Sequence, residues 1–232
     1  MYIGFAGVGG SGKSTVARAT HAKLEQDGYK VAYYSPFFQS GRCIWYKIVW
    51  TIYLWRWFDV DLLRYFLFTT STKFRITKWT WWRVYMSLIF SYYLDQLRRG
   101  KVDVLIYDED MSKWQAQPVA SGAVSVEDVC RLYQERIVPV AEAGLVVFVE
   151  TEAATAHDRY VARDKEQYQP DEYQARVDSW ADYQASCQQL VADIDAATAI
   201  DTLVLDGKQS VDSNAEAVKQ RVIDTFSHPP KR

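Results

Sequence analysis

Along this chain short apolar runs alternate with longer amphipathic stretches. Tyr2-Ile3-Gly4-Phe5-Ala6 is apolar without alternation, which predicts a strand buried on both faces. Val16, Ala17, Ala19 and Leu24 then recur at helical spacing, predicting a helix from Lys13 to about Gln26 that Asp27-Gly28 ends. Lys30–Tyr34 reads as a second strand, stopped by Pro36. Val84, Leu88 and Tyr92, with Tyr85, Ile89 and Tyr93 beside them, predict a helix from about Trp79 to Arg99, with Gly100 as its stop. Val102–Tyr107 is a third strand, Leu145–Val149 a fourth and Thr202–Leu205 a fifth, turned by Asp206-Gly207. Helices are predicted over Val126–Ala141, 152–165, 171–196 and Val211–Phe226, with Gln169-Pro170 between the second and third. Ser227–Arg232 reads as a frayed tail. Strands alternating with helices imply an α/β fold, a mostly parallel sheet covered on both faces.

The 232 residues suit one such domain over 1–232 and are marginal for two. We find no internal repeat and no low-complexity linker. Hydrophobic residues at 49% and charged residues at 24% are ordinary, but aromatics reach 15%, with 9 Trp. Seven of those tryptophans fall within 42–99: Trp45, Trp50, Trp55, Trp57, Trp79, Trp81 and Trp82. That segment reads as two or three helices. The formal charge of -2 conceals an asymmetry: residues 42–101 carry 11 Lys/Arg and 3 Asp/Glu, residues 102–232 carry 12 and 24. Either the basic middle meets an anionic partner or surface, or the two patches are solvated or face each other.

Cys43, Cys130 and Cys187 are far apart and fit no metal or disulfide framework, so buried free thiols in a reducing compartment are expected. The first strand starts at Tyr2, so no leader is expected ahead of the fold. No uncharged apolar run reaches the ~18 residues that span a bilayer. Together these predict a cytoplasmic protein.

The first candidate chemistry lies between the first strand and the first helix. Gly7-Val8-Gly9-Gly10-Ser11-Gly12-Lys13-Ser14 satisfies G-x-x-x-x-G-K-[ST] in the strand–loop–helix context that motif requires. Gly7, Gly9, Gly10 and Gly12 let backbone N–H groups, including that of Ser11, converge on phosphate oxygens. The helix points its positive end at the same anion. Lys13 supplies a charge to the β- and γ-phosphates, Ser14 a hydroxyl for Mg²⁺, and Thr15 a contact to the α-phosphate. The predicted ligands are therefore ATP and Mg²⁺. A guanine-reading N-K-x-D signature is absent, and Asn214 is the chain's one asparagine, which argues against a conventional GTPase.

Two further clusters follow core strands. Val104–Tyr107 delivers Asp108-Glu109-Asp110 to the C-terminal edge of the sheet, where ligands of open parallel sheets sit. Asp108 is placed to hold Mg²⁺ through water or to take a hydroxyl proton, with Glu109 a second candidate. The plainer reading is a solvated acidic turn. Arg159 and Arg163, four apart, share a helical face and would clamp a transferring phosphoryl group. Interleaved Asp158, Asp164 and Glu166 leave a salt-bridged surface helix as the alternative.

These residues resemble the thymidylate kinase branch of the nucleoside and nucleotide kinases over most of the chain. The loop 7–14 fits. Leu97-Arg98-Arg99-Gly100-Lys101-Val102 leading into Ile106-Tyr107-Asp108 is similar to that family's helix, Gly-Lys turn and strand ending in Asp-Arg. Arg159-x-x-x-Arg163 matches the start of its lid, here 152–170, and Asp206-Gly207 with Ser210 its adenine-side turn. The resemblance implies a P-loop kinase three-layer sandwich with a five-stranded sheet, Mg-ATP as donor, and a helical acceptor-binding insert at 42–99. The departures are specific. The Arg after the strand-end Asp is Glu109, the Arg-Glu-Pro after the second strand corresponds to Tyr34-Ser35-Pro36, and the substrate-helix Asp-Arg has no counterpart around Phe90-Ser91-Tyr92. Those arginines grip an acceptor monophosphate, so their loss favours a neutral hydroxyl acceptor, with Asp108 or Glu109 as base.

The aromatic insert has three readings: packing of a helical subdomain, the lining of an apolar acceptor pocket, or a basic, Trp-rich surface on an anionic membrane. A lipid hydroxyl as acceptor would join the last two. Nucleic acid is a weaker fit, since no binding motif is present. The overall expectation is an ATP-dependent kinase acting on an apolar or lipid-like hydroxyl. A divergent nucleoside or nucleoside-monophosphate kinase and an ATP-dependent membrane-associated switch are the alternatives, and a homodimer stays open.

Overall fold

A computed structural model describes residues 1–35, 78–141, 143–164 and 172–227. Strand β1 (Tyr2–Ala6) leads into α1 (Lys13–Gln26) and β2 (Val31–Tyr34). Next come α2 (Lys78–Arg98), β3 (Val104–Tyr107), α3 (Met111–Ala120) and α4 (Val126–Leu132). A π-helical turn (Tyr133–Ile137) carries α4 into α5 (Val138–Ala141). That wider turn falls just ahead of Pro139, which has no N–H to continue an α-ladder. The chain then forms β4 (Gly144–Glu150), α6 (Ala153–Asp164), α7 (Tyr173–Ala197), β5 (Ile200–Asp206) and α8 (Val211–Ser227).

The five strands form one parallel sheet in the order β2-β3-β1-β4-β5. Burial on both faces explains why its central strands read as continuous apolar runs. Tyr2 and Ala6 of β1, Leu105 and Tyr107 of β3, and Val146 and Phe148 of β4 pack on one face with Leu88 and Phe90 of α2, Val129 of α4, and Leu190, Val191 and Ile194 of α7. The alternate positions Ile3, Phe5, Val104, Ile106, Leu145 and Val147 pack on the other face with Val16, Ala17 and Leu24 of α1 and Val218 and Val222 of α8. The result is the expected three-layer α/β sandwich.

All five predicted strands are present, and β5 extends two residues earlier and one later than the pattern of apolar residues suggested. Helix α3 was not anticipated, because Asp108-Glu109-Asp110 looked like the start of a loop. Asp110 is in fact its N-cap, accepting from the N–H of Ser112 at 2.8 Å. Cys130 and Cys187 are buried free thiols, as expected. Cys43, the insert up to residue 77 and the lid beyond residue 164 lie outside the described residues, so the pocket and membrane readings of that insert do too. Among the described residues no helix is long and apolar enough to cross a membrane.

Candidate active site

The loop between β1 and α1 takes the shape its glycines allow. Gly10 and Gly12 adopt φ of 81° and 93°, left-handed values that an L side chain resists. Gly12 is the N-cap of α1, no side chain caps that helix and no acid lies in its first turn, so its leading N–H groups and positive end are left for an anion. Helix α6 and the turn after β5 brace the loop from outside. A Cβ on Gly10 would lie 1.9 Å from the carbonyl oxygen of Ala156, and one on Gly9 would lie 2.7 Å from the Tyr160 ring. The Trp180 indole donates to Gly9 O at 3.1 Å, and Thr151 Oγ1 donates to Ser11 O at 3.1 Å. Gly207 makes room for that last contact, since a Cβ there would lie 1.9 Å from Thr151 Oγ1.

Beyond β3 the chain is pinned to both neighbouring strands: Asp108 N–H donates to Tyr34 O of β2, and Asp110 N–H to Phe5 O of β1, each at 2.9 Å. The three acids are therefore separated in role. Asp110 faces the core, where it accepts the hydroxyls of Tyr2 at 2.7 Å and of Tyr133, besides capping α3. Gly4 opens the space it occupies, as a Cβ there would lie 1.8 Å from Asp110 Oδ2. Asp110 is thus a structural residue, held in the core rather than at the loop.

Asp108 and Glu109 do reach the loop. Asp108 Oδ2 accepts the Tyr33 hydroxyl at 2.8 Å, and the Ser14 hydroxyl lies near enough to favour the charged form of this carboxyl. Oδ1 is buried with no hydrogen-bond partner. Burial raises the Asp108 carboxyl above its ordinary range, with Glu109 adding to the rise, while the hydroxyls of Tyr33 and Ser14 and the charge of Lys13 pull it back. Glu109 bonds two lysines. Lys13 Nζ lies 3.2 Å from its Oε1, and Lys113 Nζ pairs with its Oε2. Burial alone would raise Glu109, but Lys113 and Lys13 outweigh it and hold the group below its usual value. Burial and then the charge of Lys13 bring Lys113 down to about 8.

The residues singled out in the sequence divide accordingly. Lys13, Ser14, Asp108 and Glu109 come together around the end of β3. Gly7, Gly9, Gly10, Ser11 and Gly12 form the loop beside them. Thr15 is exposed on the first turn of α1. Gly207 lies against the loop's brace. Arg159 and Arg163 stand exposed on α6, outside the buried cluster, with the Arg163 guanidinium 5.0 Å from the centre of the Tyr160 ring. Sequence reasoning missed Lys113, Tyr33, Thr151 and Trp180. Lys113 had a signal, its place four residues after Glu109, which becomes a helical ion-pair spacing once α3 is recognised. Trp180, in a polar helix far along the chain, had none. No group of three or more His, Cys, Asp or Glu able to hold a metal occurs among the described residues. Ser14 with Asp108, one of whose oxygens lacks a partner, is instead a donor pair that suits a hard cation shared with phosphate oxygens.

No protein-family model matches the chain, and comparison with curated proteins found no match. Among solved structures the chain is similar to deoxyadenosine kinase from M. mycoides with bound dCTP, at 13% identity and a TM-score of 0.46 over 97% of this chain and 100% of that one. It is likewise similar to that kinase with products dCMP and a flexible dCDP bound, at 14% identity and 0.47, with the same coverage. A third similar structure is the kinase with bound dATP, at 12% and 0.47, over 96% of this chain and 100% of that one. At these identities the neighbours leave the acceptor open.

Proposed function

We propose that this chain is an ATP-dependent kinase of the thymidylate-kinase-like kind that transfers the γ-phosphate to a hydroxyl of a small acceptor. The observation that carries the reading is the meeting of the phosphate loop with the end of β3. There the Ser14 hydroxyl sits beside the Asp108 carboxyl and Lys13 bonds Glu109. The loop amides and Lys13 hold the β- and γ-phosphates, and the Ser14 hydroxyl would hold Mg²⁺. Mg-ATP, when bound, supplies the transferable phosphoryl group and the metal charge that offsets its oxygens.

Asp108 is the base. Tyr33 fixes one carboxyl oxygen, leaving Oδ1 to take the proton of an acceptor hydroxyl. A carboxyl whose proton affinity is raised by burial does this better than an ordinary one. The charge balance favours a hydroxyl over a phosphate acceptor. Lys13 and Lys113 are matched by Asp108 and Glu109, so these four groups, three of them buried and Lys113 12% exposed, leave no surplus cation for a second phosphate. Adenine on the Gly207 side, and Arg159 and Arg163 reaching in from α6, complete the proposed arrangement.

The test is a screen of nucleosides, nucleoside monophosphates and polyprenols for ATP-dependent phosphorylation, run beside Lys13→Ala. The expected result is a phosphorylated hydroxyl, with Mg-ATP affinity about a hundredfold weaker in Lys13→Ala. Efficient phosphorylation of thymidine monophosphate would overturn the hydroxyl reading. Unchanged ATP binding by Lys13→Ala would overturn the site.

A further inference from the structure

Two lysines from different elements converge on one carboxylate at the end of β3. Lys13 comes from the start of α1 and lies 3.2 Å from Glu109 Oε1. Lys113 comes from the first turn of α3 and bonds Glu109 Oε2. The three side chains are withdrawn from solvent: Glu109 is 5% exposed, Lys13 6% and Lys113 12%. Lys113 is no loose surface charge. Its helix is capped by Asp110, and its own carbonyl accepts the Tyr183 hydroxyl of α7 at 2.7 Å.

This geometry sets up a conflict for Lys13. The ammonium also donates to Val8 O of the loop at 3.4 Å, and to serve polyphosphate it must give up Glu109. A buried carboxylate stripped of its only counter-charge is strongly disfavoured, so a lone Lys13–Glu109 pair would hold the loop lysine back. Glu109 has a second counter-charge already bonded to its other oxygen. We propose that Lys113 is a positioning residue that keeps Glu109 neutralised when Lys13 turns to the phosphates, and so releases the loop lysine for nucleotide. The inference rests on the nucleotide-binding reading above and adds a residue and a mode of action to it. Lys113 touches no phosphate in this scheme. It acts through Glu109.

Equilibrium binding of Mg-ATP to the full chain, by titration calorimetry, tests it without knowledge of the acceptor. Lys113→Met is expected to weaken binding about tenfold, because Glu109 then retains Lys13. Lys113→Arg keeps the charge and should stay within about threefold of the parent. Glu109→Gln frees Lys13 and should bind at least as tightly as the parent. The decisive protein is Lys113→Met with Glu109→Gln, expected to return to within about threefold of the parent, a recovery that a merely structural lysine would not show. Melting of each ligand-free variant checks that it is folded, and if Lys113→Met does not fold, Glu109→Gln and the double variant still decide.

Three results would each overturn the inference: Lys113→Met binding like the parent, a loss that Glu109→Gln fails to restore, or Glu109→Gln alone binding more weakly than the parent. A parent with no affinity for Mg-ATP would instead sink the nucleotide-binding reading, and this inference with it.

Discussion

The end of β3 and helix α6 both lie against the phosphate loop, and they hold their charges in opposite states. At β3, Asp108, Glu109 and Asp110 are buried and each is fixed by named partners: Tyr33 and Ser14, two lysines, and two tyrosine hydroxyls with a backbone N–H. On α6, the backbone and Tyr160 press against Gly9 and Gly10, while Arg159 and Arg163 stand in solvent. Groups needed throughout a reaction cycle gain from being preorganised in a low-dielectric setting. Groups needed only when phosphate arrives can wait at the surface, where an exposed guanidinium carries little desolvation penalty. In the proposed arrangement burial therefore separates a fixed half of the site from a recruited half.

Removing Asp110, the fixed acid that faces the core, should damage the fold, and this is the largest effect expected. Asp110→Ala removes the α3 cap and strands two buried tyrosine hydroxyls, so it should lower unfolding free energy by about 4 kcal/mol in urea titrations. A loss under about 1 kcal/mol would mean that the β3 end is not held as described. Removing the recruited pair should do the reverse. Arg159→Ala with Arg163→Ala should leave stability within about 0.5 kcal/mol and lower turnover about a hundredfold. If turnover is untouched, α6 is only a salt-bridged surface helix.

The smallest expected effect is on stability, at Asp108. Its proton affinity is raised in the folded protein, so the folded state binds more protons than the unfolded one between the ordinary and the raised values. Asp108 thus costs stability above the raised value, and this penalty vanishes as pH falls below the ordinary carboxylate range. Asp108→Asn should stabilise the ligand-free protein at pH 7, with the gain shrinking on acidification. Urea midpoints across pH would reveal it, and a destabilised Asp108→Asn would contradict a base held ready at the expense of the fold.

The same division governs what the amino-acid order reveals. The sheet was legible because strands buried on both faces must be apolar throughout, as in Tyr2–Ala6 and Leu145–Val149. The loop was legible because its glycines and Lys13-Ser14 are contiguous. Pairings across the sheet were not. That Asp110 belongs to Tyr2 and Tyr133, residues 108 and 23 positions away, depends on the order of strands and on a helix whose start looked like a turn. The Glu109 substitution illustrates the same limit. Taken alone, a carboxylate where the resembling family has an arginine implies repulsion of phosphate. In the fold, Lys113 stands one helical turn on and cancels it.

Trp180 and Tyr183 are neighbours along α7. The first holds the loop through Gly9 O, and the second holds α3 through Lys113 O. A single turn of one helix is thus a strut between the two parts of the molecule that present lysine ammonium groups to the same space. Sliding or rotating that helix by even a fraction of a turn would alter the gap between Lys13 and Lys113. The spacing of two charges on separate elements is in this way a property of a third, whose own surface is otherwise largely polar.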